Sequence, residues 1–174
     1  MKNVLAISGS LRDKSTNLTI IKNIAEMGGD KINISIYDDL AELPHFNPDA
    51  DTNAPPEKVA DLRRKIKECD GVLICTPEYV FSVPAALKNA LEWTVSSADF
   101  HAKPTALITA SSLGEKAHEC LLLILKTIDA DIGENAALLI SHAQTKIKNG
   151  VITDAETIEK LNLLIESFLH TIER

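Results

Sequence analysis

The chain has 174 residues, of which 45% are hydrophobic and 25% are charged, and its formal net charge at pH 7 is −7. This composition is typical of an ordinary globular domain and excludes collagen-like, low-complexity and disordered chains. Nucleic acid is not an expected partner, because its binding sites need basic surface and stacking aromatic side chains, and the chain has only one Trp, two Tyr and four Phe.

The same residues argue against metals, disulfides and membranes. Cys69, Cys75 and Cys120 form no C-x-x-C pair and lack the spacing of a disulfide framework. No two of the five histidines have helical metal-ligand spacing, so no metal site is predicted. The longest apolar run, residues 121–125, is far shorter than the roughly 20 residues of a membrane span, and no signal-peptide pattern is present. We therefore expect a cytoplasmic protein with free thiols.

Short apolar runs alternate with helical patterns along the chain. The pattern predicts five strands, at residues 3–8, 32–37, 72–76, 105–110 and 136–141. A helix that Gly28 ends follows the first strand, and a loop from Asp38 to about Pro56 and a helix that Asp70 ends follow the second. The last three strands are followed by a helix from Pro84, a helix from about Glu115 to Asp129 and an amphipathic helix through Ile172.

Strands that alternate with helices indicate parallel βαβ units, and right-handed crossovers place the helices on both faces of one sheet. The pattern predicts a single α/β domain over residues 1–174, with either flavodoxin-like or half-Rossmann strand order. Ligands of such sheets bind outside the carboxyl ends of the strands, so functional residues are expected after strands one, three and four. The long loop at residues 38–56 is also of interest, because loops of that length are often functional.

The turn after strand one carries many hydrogen-bond donors beside a helix N-terminus, which attracts anions. These donors are Ser10, Arg12, Ser15, Thr16 and Asn17. The spacing excludes a Walker loop and a G-x-G-x-x-G fingerprint. We predict a phosphate site here; the alternative is that Ser15 or Asn17 is only a helix cap and Arg12 only a solvated side chain.

The loop after strand three runs from Pro77 to Pro84 and opens the next helix. Its prolines stiffen the turn, while Tyr79 and Phe81 supply flat apolar surface. Backbone amides in such a loop can bind the edge of a planar heterocycle. An irregular loop whose aromatic side chains only cover the sheet edge is equally compatible with these residues.

Two motifs in these loops resemble the NADPH-dependent FMN reductase family, which includes azo-, quinone- and chromate-reducing enzymes. The first is G-S-L-R-x-x-S-x-N at residues 9–17, and the second is P-E-Y-x-x-S-x-P-x-x-L-K-N-A-L-E-W at residues 77–93. Both lie at loops that the fold argument selects, and the strand and helix pattern extends the resemblance over essentially the whole chain. The chain departs from the family pattern at Val80, where Asn is common, and at Ala85, where Gly is common.

The resemblance implies a flavodoxin-like three-layer α/β/α sandwich with a five-stranded parallel sheet and bound FMN. By it, the FMN phosphate is held by Ser10, Arg12, Ser15, Thr16 and Asn17. The ribityl chain and the ring are lined by Pro77, Glu78, Tyr79 and Val80 and by Ser111, Ser112 and Gly114. No catalytic side chain is assigned. We expect Glu78 to make structural hydrogen bonds, and His118 to be a solvated helix residue rather than a flavin contact.

The implied reaction passes a hydride from NADPH or NADH to FMN, and then electrons to a flavin, quinone, azo compound or similar small acceptor. The alternatives are a flavodoxin-like electron carrier that does not oxidise NAD(P)H directly, and a binding domain that has lost flavin. Residues 120–125 are apolar all round one predicted helix, which indicates a partner. We expect a homodimer or homotetramer; burial of this helix under the last helix is the alternative.

Overall fold

In a computed structural model that describes residues 1–174, the five predicted strands form one parallel sheet. The strands are β1 (Lys2–Ser8), β2 (Ile32–Ile36), β3 (Gly71–Thr76), β4 (Thr105–Ala110) and β5 (Ala137–Ile140). Their order across the sheet is β2-β1-β3-β4-β5, and every neighbouring pair is parallel. This is the flavodoxin-like order rather than the half-Rossmann one, so the predicted fold class is confirmed.

Five helices cover the two faces of the sheet. They are α1 (Thr16–Gly28), α2 (Glu57–Glu68), α3 (Ala85–Glu92), α4 (Glu115–Thr127) and α5 (Ala155–Glu173). Alternate strand residues point to opposite faces, so Leu5 and Ile7 pack with α2, α3 and α4, while Val4 and Ala6 pack with α1 and α5. The strands are therefore buried on both sides, which explains their continuous apolar runs. None of the helices is long and apolar enough to cross a membrane.

Local capping decides where helices begin. The Ser15 side chain accepts a hydrogen bond from the Leu18 N–H at 3.0 Å at the start of α1. Asp154 does the same for the Thr157 N–H at 2.9 Å at the start of α5. A capping oxygen satisfies an N–H group that the first turn of a helix otherwise leaves without an acceptor. Both helices thus begin at the residue after a cap.

Besides four short 3₁₀ helices, the structure has a second, two-stranded sheet that the pattern did not predict. Residues 147–152 form an antiparallel hairpin of β6 (Ile147–Lys148) and β7 (Val151–Ile152), joined by Asn149 and Gly150. Two-residue strands are too short to show periodicity, but the Asn-Gly pair itself is a typical hairpin signal. The other boundaries differ from the predicted ones by one or two residues.

Candidate functional site

A cavity of about 330 Å³ lies at the carboxyl edge of the sheet, at the ends of β1, β3, β4 and β5. Its walls are mostly polar. Ten of the twelve predicted site residues line it: Ser10, Arg12, Ser15, Thr16, Asn17, Pro77, Glu78, Tyr79, Ser111 and Ser112. A larger depression of about 610 Å³ lies elsewhere, beside Arg63 and Arg64, away from the strand ends. Position at the strand ends, not size, identifies the first cavity as the candidate site.

One end of the cavity is the N-terminus of α1. The N–H groups of Thr16 and Asn17 have no acceptor in the protein. The first hydrogen bonds of the helix come from the next two residues: the Leu18 N–H donates to the Ser15 hydroxyl, and the Thr19 N–H donates to the Ser15 carbonyl oxygen. These two free N–H groups and the helix dipole favour an anion. The turn is held tightly: the Gly9 N–H donates to the Cys75 oxygen at 2.9 Å, and a Cβ at Gly9 would lie 2.1 Å from the Thr76 hydroxyl oxygen.

Arg12 stands beside this helix N-terminus with its guanidinium free. Its backbone N–H donates to the Ser10 hydroxyl at 3.4 Å, and the Ser10 N–H donates to the Ser8 hydroxyl at 3.3 Å. The Arg12 side chain is exposed and makes no ion pair, whereas the three other arginines of the chain are all paired with carboxylates. The backbone is therefore fixed while five N–H donors remain available to a ligand.

The Asn17 side chain points into the protein. It is only 3% exposed, and its Oδ1 accepts a hydrogen bond from the Cys75 thiol at 3.3 Å. Burial raises the pKa of that thiol, so it stays protonated and able to donate. The side-chain amide nitrogen of Asn17 donates to no protein acceptor. Asn17 thus joins α1 to β3 and offers its backbone and amide N–H groups to the cavity.

The opposite wall is held by Glu78. Its carboxylate accepts a hydrogen bond from the Ala117 N–H at 2.9 Å, which ties the loop after β3 to the first turn of α4. This confirms the structural hydrogen bonding expected for Glu78. The N–H groups of Glu78 and Ser112 have no acceptor in the protein. The wall therefore presents backbone donors in a fixed position.

Val80 and Gly114, the two other predicted site residues, lie outside the cavity wall. Val80 occupies the tip of a tight turn, where its side chain is 96% exposed. Gly114 is the N-cap of α4 with a φ of 95°, and a Cβ there would lie 2.9 Å from Leu139. Its glycine is required by this left-handed backbone and close packing rather than by cavity space.

A fourth loop, which the sequence reasoning missed, completes the cavity. It follows β5 and contributes His142, Ala143, Gln144 and Thr145. The His142 N–H donates to the Ser112 oxygen at 3.0 Å, and the Ala143 N–H donates to the Ser111 oxygen at 3.1 Å, so the loops after β4 and β5 form one unit. A usable signal was present, because a polar run follows directly after a strand that ends at the same edge of the sheet.

His118 is not the solvated side chain that was expected. It is half-buried, and its Nδ1 lies 3.1 Å from the Thr109 hydroxyl oxygen. Burial lowers the pKa of this histidine, because the charged ring loses its hydration. It lies outside the cavity wall, so its role is packing between α4 and β4.

Comparison with known proteins agrees with this geometry. The model of the NADPH-dependent FMN reductase family matches residues 2–145. An NADH-dependent flavin reductase subunit 2 from Lactobacillus johnsonii is 36% identical, over 98% of this chain and 97% of its own length. A quinone reductase from Escherichia coli K12 is 29% identical, over 98% and 95%.

Solved structures extend the comparison to three dimensions. FerB, a flavoenzyme NAD(P)H:(acceptor) oxidoreductase from Paracoccus denitrificans, superposes with a TM-score of 0.86 at 28% identity. The superposition covers 99% of this chain and 98% of FerB. The similarity therefore includes every loop that forms the cavity.

Proposed function

Since the chain belongs to the NADPH-dependent FMN reductase family and is an NAD(P)H-dependent flavoprotein oxidoreductase that uses FMN, we propose that the cavity described above is its FMN site. In this proposal residues 1–174 act as one FMN-binding domain, with the phosphate at the N-terminus of α1 and the ring between the loops after β3 and β4. The single observation that carries it is the convergence of free backbone N–H groups and an unpaired arginine at one end of a polar cavity.

The phosphate end matches the chemistry of a phosphate monoester. Two free N–H groups, of Thr16 and Asn17, approach from the helix, and the Arg12 guanidinium approaches from the turn. Hydrogen bonds from charged or dipole-aligned donors to phosphate oxygens are about twice as strong as neutral ones. Ser10 adds a hydroxyl beside them. Three kinds of donor thus meet at one place. Glu78 is the one carboxylate of the cavity wall, and it already accepts a hydrogen bond from the Ala117 N–H.

The ring end matches a planar heterocycle with a polar edge. Glu78 and Ser112 line the cavity, and their backbone N–H groups have no acceptor in the protein. The half-exposed Tyr79 lines the cavity beside them. Fixed backbone donors stabilise negative charge that develops on a bound ring, because they need no reorganisation during the reaction. When bound, FMN supplies the redox chemistry by accepting a hydride from NAD(P)H and passing two electrons to an acceptor. The protein's own part is to bind, to orient and to supply these donors.

We also propose that the chain forms a homodimer or a homotetramer through α3 and α4. An apolar depression of about 270 Å³ lies between these helices, where Val95 is 58% exposed and Leu123 is 68% exposed. The alternative of burial under the last helix fails, because α4 and α5 pack on opposite faces of the sheet. Sedimentation equilibrium tests the assignment. Leu123→Glu should give monomers and Leu163→Glu, at an exposed leucine on α5, should not; a monomeric wild-type protein would contradict it.

A cytoplasmic location is part of the same proposal. It is supported by the three cysteines, all of which are free in the fold. Free thiols persist in a reducing compartment, whereas oxidising compartments favour disulfides. The acceptor is proposed to be a small molecule, as the name of the Escherichia coli quinone reductase suggests for that protein.

A second candidate function follows from the name of the Lactobacillus relative, which is one subunit of its reductase. By analogy, this chain would be one subunit of an NAD(P)H-dependent reductase, would exchange electrons with a partner subunit and would reach its full rate of NAD(P)H oxidation only with that partner. The exposed apolar surface between α3 and α4 is the observation that favours it, since such a surface also suits a different chain.

A visible spectrum of the purified protein separates the two candidates. The protein is incubated with FMN, freed of excess flavin and then mixed with NADPH, or in parallel NADH, without oxygen. We expect a retained flavin band that bleaches within the mixing time with at least one of the two nucleotides. A retained band that neither nucleotide bleaches would support the electron-carrying subunit instead. Failure to retain FMN at micromolar protein concentration would contradict the proposed site.

A further inference from the structure

Two tight turns in this protein have the same backbone geometry but opposite kinds of residue. In the β6–β7 hairpin the central residues are Asn149 and Gly150, with φ angles of 50° and 80°. In the loop after β3 they are Val80 and Phe81, with φ angles of 51° and 55°. Positive φ at both central residues defines the type I′ turn, which strongly favours Asn-Gly.

Val80 and Phe81 are poor residues for such a turn. Left-handed backbone is rare for non-glycine residues and is a clear outlier for a β-branched side chain such as valine. The remaining non-glycine residues with positive φ are small or polar: Ala98, Ala102, Asp129, His142 and Asn149. The turn therefore stores strain that its counterpart at Asn149 avoids.

Burial does not compensate for this strain. The Val80 side chain is 96% exposed and the Phe81 side chain is 71% exposed. The turn persists because its two ends are fixed. The Tyr79 N–H donates to the Ser82 oxygen at 3.0 Å, and the Ser82 N–H donates to the Tyr79 oxygen at 3.1 Å. An exposed apolar pair on a strained turn is the kind of local conflict that marks a functional position.

The position of the turn indicates what the pair contacts. Tyr79, the residue directly before it, lines the candidate FMN cavity, so the turn stands at the rim. The cavity wall is mostly polar, which suits a phosphate and a heterocycle edge, whereas the rim offers two neighbouring apolar side chains. A second substrate that rests on a bound ring would meet polar groups inside and apolar groups outside.

We infer that the Val80–Phe81 turn determines acceptor specificity by holding a planar aromatic acceptor of the quinone class against the mouth of the cavity. This inference rests on the proposed function of the cavity. The Phe81 ring offers a flat apolar face, and the left-handed backbone sets the direction in which both side chains leave the turn. In the overall reaction a quinone takes the hydride of NAD(P)H and one proton from water, which gives the hydroquinone and NAD(P)⁺.

The test replaces the pair with the residues that the same geometry carries elsewhere in the protein. In Val80→Asn/Phe81→Gly the backbone is relieved and the apolar surface is removed, so loss of activity is not confused with unfolding. The kcat/KM for 2-methyl-1,4-naphthoquinone is compared with that for ferricyanide, a hydrophilic acceptor with no flat apolar face. Binding of 2-naphthol to the FMN-loaded protein, measured by calorimetry, gives a readout that does not depend on turnover.

We expect the double variant to retain FMN, to melt at a higher temperature and to reduce ferricyanide at the wild-type rate. Its kcat/KM for the quinone should fall about tenfold, and its affinity for 2-naphthol by a similar factor, as expected when one aromatic contact is lost. The single variant Phe81→Tyr, which keeps the flat ring, should retain most of the quinone activity. Val151→Asn, at an exposed β-branched residue of the other hairpin, should leave the kcat/KM for both acceptors unchanged.

Equal losses for both acceptors, or no loss for either, would overturn the inference. Conversion of an oligomer to monomers by the double variant would also overturn it, because the pair would then contact a second copy of the chain. If the wild-type protein itself does not oxidise NAD(P)H with ferricyanide, the proposed function fails, and the inference fails with it. Failure of the inference alone gives a different result: the wild-type enzyme is active, and the turn variants change the kcat/KM for the two acceptors by the same factor or not at all.

Discussion

The connection after β2 and the connection after β3 both leave the carboxyl edge of the sheet, yet only the second reaches the cavity. Residues 38–56 are the longer of the two and were therefore expected to carry function. In the structure they form two 3₁₀ turns, Asp39–Glu42 and Pro48–Ala50, and line no part of the cavity. We call residues 38–56 the strap, because they pack across α2 and α3.

The strap makes most of its contacts with residues at the end of α3. Its Phe46 ring packs edge-to-face on Trp93, with ring centroids 5.0 Å apart, and the Trp93 indole N–H donates to the Pro44 oxygen at 2.8 Å. The Asn89 side chain accepts from the Phe46 N–H at 2.7 Å and donates to the Pro44 oxygen at 3.0 Å. These contacts identify the longer loop as a packing element, while the shorter loop after β3 lines the cavity.

The strap and the loops around the cavity also differ in whether their polar groups have partners and in whether their backbone is strained. In the strap, the Asp51 carboxylate accepts from the nearly buried Arg63 guanidinium at 2.7 Å, and Arg63 also donates to the Trp93 oxygen at 2.8 Å. Asp39 of the strap is paired as well, with Lys58 at 3.0 Å. Around the cavity the Arg12 guanidinium and several N–H groups have none, and the Val80–Phe81 turn is strained. Satisfied polar groups stabilise a fold, whereas unsatisfied ones are available to a ligand.

The largest effect is expected at Arg63. Arg63→Ala should lower the free energy of unfolding by about 3–5 kcal/mol, because it leaves the nearly buried Asp51 carboxylate without its cation and the buried Asp99 carboxylate with only Lys67, at 3.4 Å. Urea unfolding at pH 7 measures it. Arg64→Ala is the matched control on the same helix: its exposed ion pairs should contribute about 0.5 kcal/mol or less. Equal effects of the two changes would refute the distinction between the strap and the exposed helix face.

The next effect is expected at Asn89. Asn89→Ala should lower the free energy of unfolding by about 2 kcal/mol, because two strap backbone groups lose a hydrogen-bond partner. The affinity for FMN, measured by quenching of flavin fluorescence, should stay within twofold of wild type. A large loss of FMN affinity in the folded variant would show that the strap supports the cavity after all.

A smaller effect of opposite sign is expected at Val80. Val80→Asn should raise the free energy of unfolding by about 1 kcal/mol, since Asn tolerates left-handed backbone and the exposed valine loses no packing. Urea unfolding of this variant and of Val151→Asn makes the comparison. Destabilisation by Val80→Asn would mean that the turn is not strained.

The smallest effect is a pH dependence at Asp51. The hydrogen bond from Arg63 lowers the pKa of the Asp51 carboxyl below its ordinary value. A carboxyl whose pKa is lower in the folded state stabilises the fold above its unfolded pKa of about 4, and this contribution is lost as the pH falls through the folded pKa. The urea midpoints of wild type and Asp51→Asn should therefore differ at pH 6, and this difference should shrink as the pH falls below about 4 and vanish below the folded pKa. A difference that is constant with pH would contradict this.

The fold and most of the cavity lining could be predicted from the sequence for a physical reason. Continuous apolar strands and amphipathic helices report burial directly, and the carboxyl edge of a parallel sheet fixes where loops after β1, β3 and β4 meet. The loop after β5 carries the same signal, a polar run directly after a strand, but it was missed because its place at the cavity depends on β5 lying beside β4. Val80 was placed in the site by motif alone, and its backbone turns it away from the cavity wall.

The strap was misjudged because a long polar loop gives no local sign of what it packs against. Asn89 and Trp93 lie in α3 and directly after it, far along the chain from Pro44, and their hydrogen bonds appear only in the folded structure. Pairs at such separations leave no periodic pattern in one sequence. Structural loops and functional loops therefore have to be separated by their contacts rather than by their length.

The central claim is that the N-terminus of α1 and Arg12 bind the phosphate of FMN. The most direct test measures the dissociation constants of FMN and of riboflavin, which lacks the phosphate, for wild type and for Arg12→Ala. Wild type should bind FMN at least 100-fold more tightly than riboflavin. Arg12→Ala should weaken FMN binding about tenfold or more, as expected for loss of a charge-assisted hydrogen bond, and leave riboflavin binding unchanged. Equal binding of the two ligands by wild type, or equal weakening of both by the variant, would contradict the account.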